Sequence, residues 1–264
     1  MNLNTYLKDL SSNLIIRDSE KKHIKKSLIY LESRLNSYFE DKIKIQESFC
    51  FGSYTRETIL PRKADENSDI DYMVVFENRF ENSPYSPETL FKYLREFVKN
   101  TYSRSEVFRD FPTIVLELNH IKFELVPAYK DFFSYYIPGS KLDYDKWITT
   151  NPNEFNNILT NVNKRENFLI KPLIRILKYL NALNDYIYSS YELENYITNL
   201  NFGYFTYDLS NYFFIAIDYL PTYNLSFTNK NKIDRIKSKV SDLKYLYSDE
   251  EKVKRIKEIL PDIY

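Results

Sequence analysis

Asp69 and Asp71 stand two positions apart in the run Ser68-Asp69-Ile70-Asp71-Tyr72-Met73-Val74-Val75-Phe76, and a third acid, Glu124, lies in Ile121-Lys122-Phe123-Glu124-Leu125-Val126. Both runs read as strands. Alternation along a strand sends residues i and i+2 to one face, so the two aspartates point the same way and Ile70 points oppositely. Two carboxylates sharing a small volume repel unless cations neutralise them. Hard divalent ions such as Mg²⁺ take carboxylate oxygens and leave room for water and substrate phosphates. The pattern therefore predicts a pair of metal ions. Upstream lies Gly52-Ser53, and Gly52 is one of only three glycines in the chain, which marks it as a position with a specific demand.

The elements that must position these residues follow from the surrounding text. Thr113–Leu118 and the Glu124 run are separated by Asn119-His120, a two-residue connection that suits a tight hairpin, although glycine is missing from its second place. Within the second run Lys122, Glu124 and Val126 alternate with Ile121, Phe123 and Leu125, so Glu124 faces away from the Phe123 side. From about Asp18 to Phe39 the spacing of Ile24, Leu28, Ile29, Leu31 and Leu35 predicts an amphipathic helix that backs the sheet, with Lys21, Lys22, Lys25 and Lys26 on its solvated side. A strand over 45–51 follows. Ser86-Pro87-Glu88 opens a helix running to about Ser103, with a capping residue, a first-turn proline and an early acid. The aromatic, proline-punctuated stretch from Pro127 to Pro152 reads as a crossover loop. Helical periodicity then covers about 153–163, 167–183, 191–200, 207–219, 230–243 and 248–259.

Composition narrows the function classes. The chain has 264 residues, 43% of them hydrophobic, enough for one large or two modest domains with a proper core. Lys plus Arg equals Asp plus Glu at 37 each, so no net field draws in a long polyanion, and small charged substrates fit better than obligate nucleic-acid wrapping. One cysteine, Cys50, and two histidines, His23 and His120, cannot build a zinc ribbon or a disulfide framework. No apolar run approaches the roughly 18 residues of a membrane span, and the N-terminus lacks a signal layout. The expectation is a soluble cytoplasmic protein, not bound to a membrane.

The ordered set Gly52-Ser53-Tyr54-Thr55-Arg56, Ser68-Asp69-Ile70-Asp71 and Phe123-Glu124-Leu125-Val126-Pro127-Ala128 resembles the signature of the polymerase-β-like nucleotidyltransferase superfamily. Within it the chain looks like the CD-NTase group (SMODS-type), bacterial relatives of cyclic GMP-AMP synthase and oligoadenylate synthetase. Trp147–Pro152, Leu173–Asn181 and Ser189–Glu194 resemble further segments of that group, so the likeness covers roughly residues 45 to 200. It implies an α+β fold: a nucleotidyltransferase lobe of mixed β-sheet with helices over 1–150, then an all-α lobe over 151–264, with the active site in the cleft between them.

The resemblance also implies roles. Asp69 and Asp71 would bridge two Mg²⁺ ions, with Mn²⁺ as an alternative, and Glu124 would hold the ion beside the attacking hydroxyl and help deprotonate it. Gly52 would let the backbone approach phosphate, and Ser53 would donate to the β- or γ-phosphate. Lys178 would contact triphosphate, or else be a solvated lysine. Ser190 would meet phosphate while Tyr191 stacks on a base, or else packs in the core. Arg56 would steer triphosphate or pin its own loop, and Arg175 is a weaker candidate of the same kind. Asn151 and Asn153 are candidates for base choice. The substrates implied are nucleoside triphosphates, joined by a monomeric enzyme into a cyclic di- or oligonucleotide that reaches a downstream effector in anti-phage (CBASS-type) signalling. Two alternatives stay open: transfer to RNA ends or protein hydroxyls, and an inactive nucleotide-binding sensor. The chain departs from the group's pattern at Glu57, where glycine is common, at Glu124, where aspartate is common, and in the long loop 61–67.

Overall fold

A computed structural model describes residues 1–77, 85–102, 107–110, 113–139, 145–203 and 208–263. It divides into two compact units. One consists of 17–56 and 67–156 and carries the sheet; the other gathers 1–16, 57–66 and 157–264 and is helical. The partition differs from a single boundary near residue 150, because the first sixteen residues and a ten-residue loop pack with the C-terminal helices.

In the sheet unit the elements run α2 (Asp18–Phe39), β1 (Ile45–Cys50), α3 (Gly52–Thr55), β2 (Asp69–Phe76), α4 (Pro87–Thr101), β3 (Val107–Asp110), β4 (Thr113–Leu118), β5 (Ile121–Lys130), β6 (Tyr135–Pro138) and β7 (Trp147–Thr150). The strand order is β1-β2-β5-β4-β3, with β6 joined to β5 and β7 to β6. Among the described strands only β2 and β5 run parallel; β1–β2, β4–β5 and the outer pairs are antiparallel. The 121–126 run pairs with 113–118 through the predicted two-residue turn, Leu118 opposite Ile121.

Among its described residues, much of the stretch read as a crossover loop is instead strand. β5 continues through Pro127 to Lys130, and β6 and β7 form a hairpin beyond it. Proline is tolerated because β4 stops pairing at Leu125 and β6 begins at Tyr129, so Pro127 lies where one side of β5 has no partner strand. The side chains of Asp131 close the turn before β6, accepting from the Phe133 and Ser134 amides at 2.9 and 2.7 Å.

One face of the sheet is apolar because α2 and α4 cover it. Ile70, Tyr72, Val74 and Phe76 of β2 are buried, and Phe39 of α2 meets Phe76 edge-on at 5.3 Å and Phe97 of α4 at 5.9 Å. α4 starts as its sequence dictates: Ser86 accepts from the Thr89 amide and Pro87 occupies the first turn.

The helical unit comprises α1 (Leu3–Asn13), most of α5 (Glu154–Arg165), α6 (Ile170–Ala182), α7 (Ser190–Thr198), α8 (Leu209–Asp218), α9 (Phe227–Lys244) and α10 (Asp249–Lys257). α1 is an element that the motif-led reading passes over. Asn2 caps it, and Leu3, Tyr6, Leu7 and Leu10 turn inward at helical spacing to join one core with α6, α8 and α10. Tyr6 donates from its hydroxyl to the Leu260 carbonyl at 2.5 Å, tying the two ends of the chain together. Among the described residues no helix is long and apolar enough to cross a membrane.

Phe39 joins α2, β2 and α4 and is 1% exposed. Phe39→Ala should destabilise the sheet unit by about 3–5 kcal/mol, read as a lower denaturant midpoint with an unchanged slope.

Candidate active site

The parallel pairing of β2 with β5 sets Asp71 opposite Glu124 and Asp69 opposite Lys122. Since Ile70, Tyr72 and Phe123 belong to the buried face, the residues alternating with them emerge together on the other side. There Asp69, Asp71 and Glu124 each offer a carboxylate oxygen, and these atoms lie within 4.8 Å of one another. All three side chains are half-buried. An all-oxygen donor set of three carboxylates matches the preference of a hard divalent cation.

Gly52 serves this cluster in a way that its motif does not reveal. The Phe51 amide donates to the Asp71 carbonyl at 3.0 Å, which brings the chain leaving β1 directly beside Asp71. Gly52 then takes φ +70°, and a Cβ built there would stand 1.8 Å from Asp71 Oδ2. The glycine therefore makes room for the carboxylate as well as supplying the left-handed backbone that opens α3. Ser53 follows, buried within α3. Arg56, at the end of this turn, lies over the Phe155 ring at 5.2 Å, with Nη1 3.5 Å from Asn156 Oδ1.

Burial, then the Asp69 charge, pushes the Glu124 carboxyl up to about 8, against the opposing pull of Lys122. Lys122 is a member of this cluster that the motif does not include. Its ammonium stands 3.3 Å from Asp69 Oδ2 and 3.3 Å from Glu124 Oε1. The available signal is positional: Lys122 is two residues before Glu124 in a strand, hence on its face. Cys50 lies close by, and burial, then Asp71, pushes its thiol up to about 12, so it is an inert half-buried thiol. His120 is exposed in its hairpin turn, hydrogen-bonded through Nε2 to Ser27 at 2.8 Å.

The remaining candidates belong to the helical unit. Lys178 of α6 is 6% exposed, and its ammonium is 3.5 Å from Glu194 of α7, which is fully buried. The same carboxylate oxygen accepts from the Thr58 hydroxyl at 2.5 Å. Lys178 is thus neither solvated nor extended toward solvent; it serves as counter-ion to an interior acid. Ser190 opens α7 behind a complete capping box formed by Ser189 and Glu192. Tyr191 is 57% exposed, so its ring is not core packing. Arg175 is buried and pins backbone, donating to the Ser11 carbonyl at 3.2 Å and the Glu57 carbonyl at 3.1 Å. Glu57, where the resembling group often has glycine, takes φ 60°. That left-handed conformation is held by Arg175 on its carbonyl and by Lys171, 2.7 Å from its carboxylate.

Comparison with known proteins follows from this geometry. The profile of the Second Messenger Oligonucleotide or Dinucleotide Synthetase domain matches residues 1–163. No curated protein sequence matches the chain. Among solved structures, the apo form of Vibrio cholerae DncV aligns with a TM-score of 0.82 at 12% identity, covering 99% of this chain and 96% of DncV. DncV cyclic AMP-GMP synthase with the linear intermediate pppA(3′,5′)pG aligns at 0.80 and 13% identity, covering 99% and 97%. Escherichia coli MS115-1 CdnC with ATP aligns at 0.70 and 12% identity, covering 100% and 99%. At such identities the likeness is one of fold.

Two outcomes are expected. Gly52→Ala should keep the far-ultraviolet circular dichroism of the parent yet lose Mn²⁺ binding and lower any pyrophosphate release by about a hundredfold, since it displaces Asp71. Lys178→Met removes the positive charge beside the buried Glu194 and should cost about 3–5 kcal/mol of stability. The pair Lys178→Met with Glu194→Leu should recover most of that loss in a denaturant titration.

Proposed function

Because the chain belongs to the Second Messenger Oligonucleotide or Dinucleotide Synthetase family and is a nucleotidyltransferase, we propose that it joins nucleoside triphosphates into a cyclic di- or oligonucleotide. The reading is carried by one observation: Asp69, Asp71 and Glu124 bring ligand oxygens within 4.8 Å of one another on one sheet face. Divalent ions held by these three carboxylates, Mg²⁺ in the first instance, would neutralise the phosphates and the leaving pyrophosphate and acidify the attacking hydroxyl.

The chain's own residues do the rest. The acceptor's ribose hydroxyl attacks the donor's α-phosphorus; a new P–O bond forms, the bond to the β-phosphate oxygen breaks, and pyrophosphate leaves. Glu124 stands at the acceptor side and takes the hydroxyl proton. Asp69 and Asp71 would hold the cations that bring the donor phosphates into line for attack. Ser53 presents its amide and hydroxyl to the donor's outer phosphates, and Gly52 keeps Asp71 in place beside them. Arg56 lends positive charge at the edge of this turn. By the resemblance, Ser190 would contact phosphate and the exposed ring of Tyr191 would stack on a base, a contact worth about 1–3 kcal/mol and largely indifferent to base identity. Lys178, matched to a triphosphate contact by resemblance, stands 3.5 Å from Glu194.

A second round of the same reaction on the linear product closes the ring. DncV bound to a linear intermediate and CdnC bound to ATP support this order of events by analogy of fold. The product is a second messenger for a downstream effector in anti-phage signalling, made in the cytoplasm by a monomer.

Incubating the full chain with labelled triphosphates and Mg²⁺ or Mn²⁺ should yield pyrophosphate and a phosphatase-resistant product, identified by mass spectrometry. Chelation should abolish it, and Asp69→Asn with Asp71→Asn should reduce it by at least about a thousandfold, the scale expected when charge stabilisation of a phosphoryl transition state is removed. A double variant as active as the parent, or label found on RNA or protein, would contradict the proposal.

A further inference from the structure

Lys122 is the one basic side chain that the described structure places against two of the three clustered acids, with its ammonium 3.3 Å from Asp69 Oδ2 and 3.3 Å from Glu124 Oε1. It is not a surface lysine that happens to reach inward. Its side chain is 16% exposed, and the parallel register seats it directly opposite Asp69. The antiparallel register sets Glu117 opposite it on the other side, so acids flank Lys122 on β2, on β4 and two residues along its own strand. A strand face crowded with this many carboxylates would spread apart without a cation, and the chain supplies one covalently.

The same placement carries a cost for any ion arriving from solution. The oxygens that Lys122 engages are oxygens of the proposed metal ligands. An incoming divalent ion must either displace the ammonium or share these carboxylates with it, and in both cases endure its charge a few ångströms away. At the effective dielectric of a partly buried site, unit charges so close interact strongly.

Building on the metal-dependent reading above, we propose that Lys122 is a positioning residue that serves as resident counter-ion to Asp69 and Glu124. It holds the two carboxylates together before metal arrives and competes with divalent cations for them, so that metal loading of the free enzyme is weakened by a built-in ammonium. Lys122 touches no reacting atom in this account; it acts through the acids it holds.

The test is Mn²⁺ binding to the full-length protein without nucleotide, read as loss of the free-ion electron paramagnetic resonance signal, beside the thermal midpoint of the metal-free protein. Lys122→Met should bind Mn²⁺ about tenfold more tightly than the parent, as expected when a like charge is removed from such a site. Its metal-free midpoint should fall, and added Mn²⁺ should raise it by more than it raises the parent's. Lys122→Gln should behave in the same way should the methionine variant fold poorly, and Lys122→Arg should retain the parent's weaker affinity. Unchanged or weaker Mn²⁺ binding in both neutral variants would overturn the proposal, since a lysine with a purely structural role lowers stability without strengthening metal binding. If the parent binds Mn²⁺ through Asp71 and releases pyrophosphate while the neutral variants show no gain, this inference alone falls. A parent that does neither removes the proposed function as well.

Discussion

Electrostatic repulsion among three carboxylates on one sheet face is the constraint around which the sheet unit is organised. Asp69, Asp71 and Glu124 face one another because β2 and β5 pair in parallel with Asp71 opposite Glu124, and because the other face of both strands is committed to the core. Ile70, Tyr72, Val74 and Phe76 are buried beneath α2 and α4. A slip of one residue in β2 would drive the aspartates into that apolar layer and turn Ile70 and Tyr72 toward the acids' side. The burial that stabilises the unit is therefore what forces the acids together. Each would cost several kcal/mol to desolvate unpaired, and the chain answers with partial exposure, with Lys122, and with Gly52, which leaves Asp71 the space a Cβ would fill.

The helical unit handles charge differently. It buries Glu194 completely and satisfies it internally, with Lys178 beside it and the Thr58 hydroxyl on the same oxygen. Arg175 likewise spends its donors on the backbone carbonyls of Ser11 and Glu57. These contacts stitch the loop 57–66 and the N-terminal residues onto helices that lie far along the sequence, which is why this unit is assembled from three separate stretches of chain. They also explain how Glu57 can occupy a left-handed conformation that glycine adopts more readily.

Much of this was legible in the amino-acid text. The period-two alternation around Asp69 and Glu124, the two-residue hairpin turn, the length of α2 and the Ser86-Pro87 start of α4 all depend on short-range rules. What escaped depends on partners distant in sequence. Nothing local in 127–138 says that β6 will take up the strand edge β4 abandons, so Pro127 reads as a break. Lys178 reads as a ligand by its motif, and only tertiary structure supplies Glu194. Gly52 is singled out correctly by its rarity, yet the reason for it, the Asp71 carboxylate, lies on another strand. The helix α1 is a different case: its apolar spacing and Asn2 cap are local and plain, but they carry no chemistry and lie outside the motif run.

The most direct test of the central claim, that three carboxylates gather to hold divalent cations over a triphosphate, is anomalous diffraction from crystals grown with Mn²⁺ and a non-hydrolysable triphosphate analogue. The account predicts manganese peaks within coordination distance of Asp69, Asp71 and Glu124, with the analogue's phosphates on the same ions. Manganese located elsewhere, or phosphates bound away from these three side chains, would contradict it.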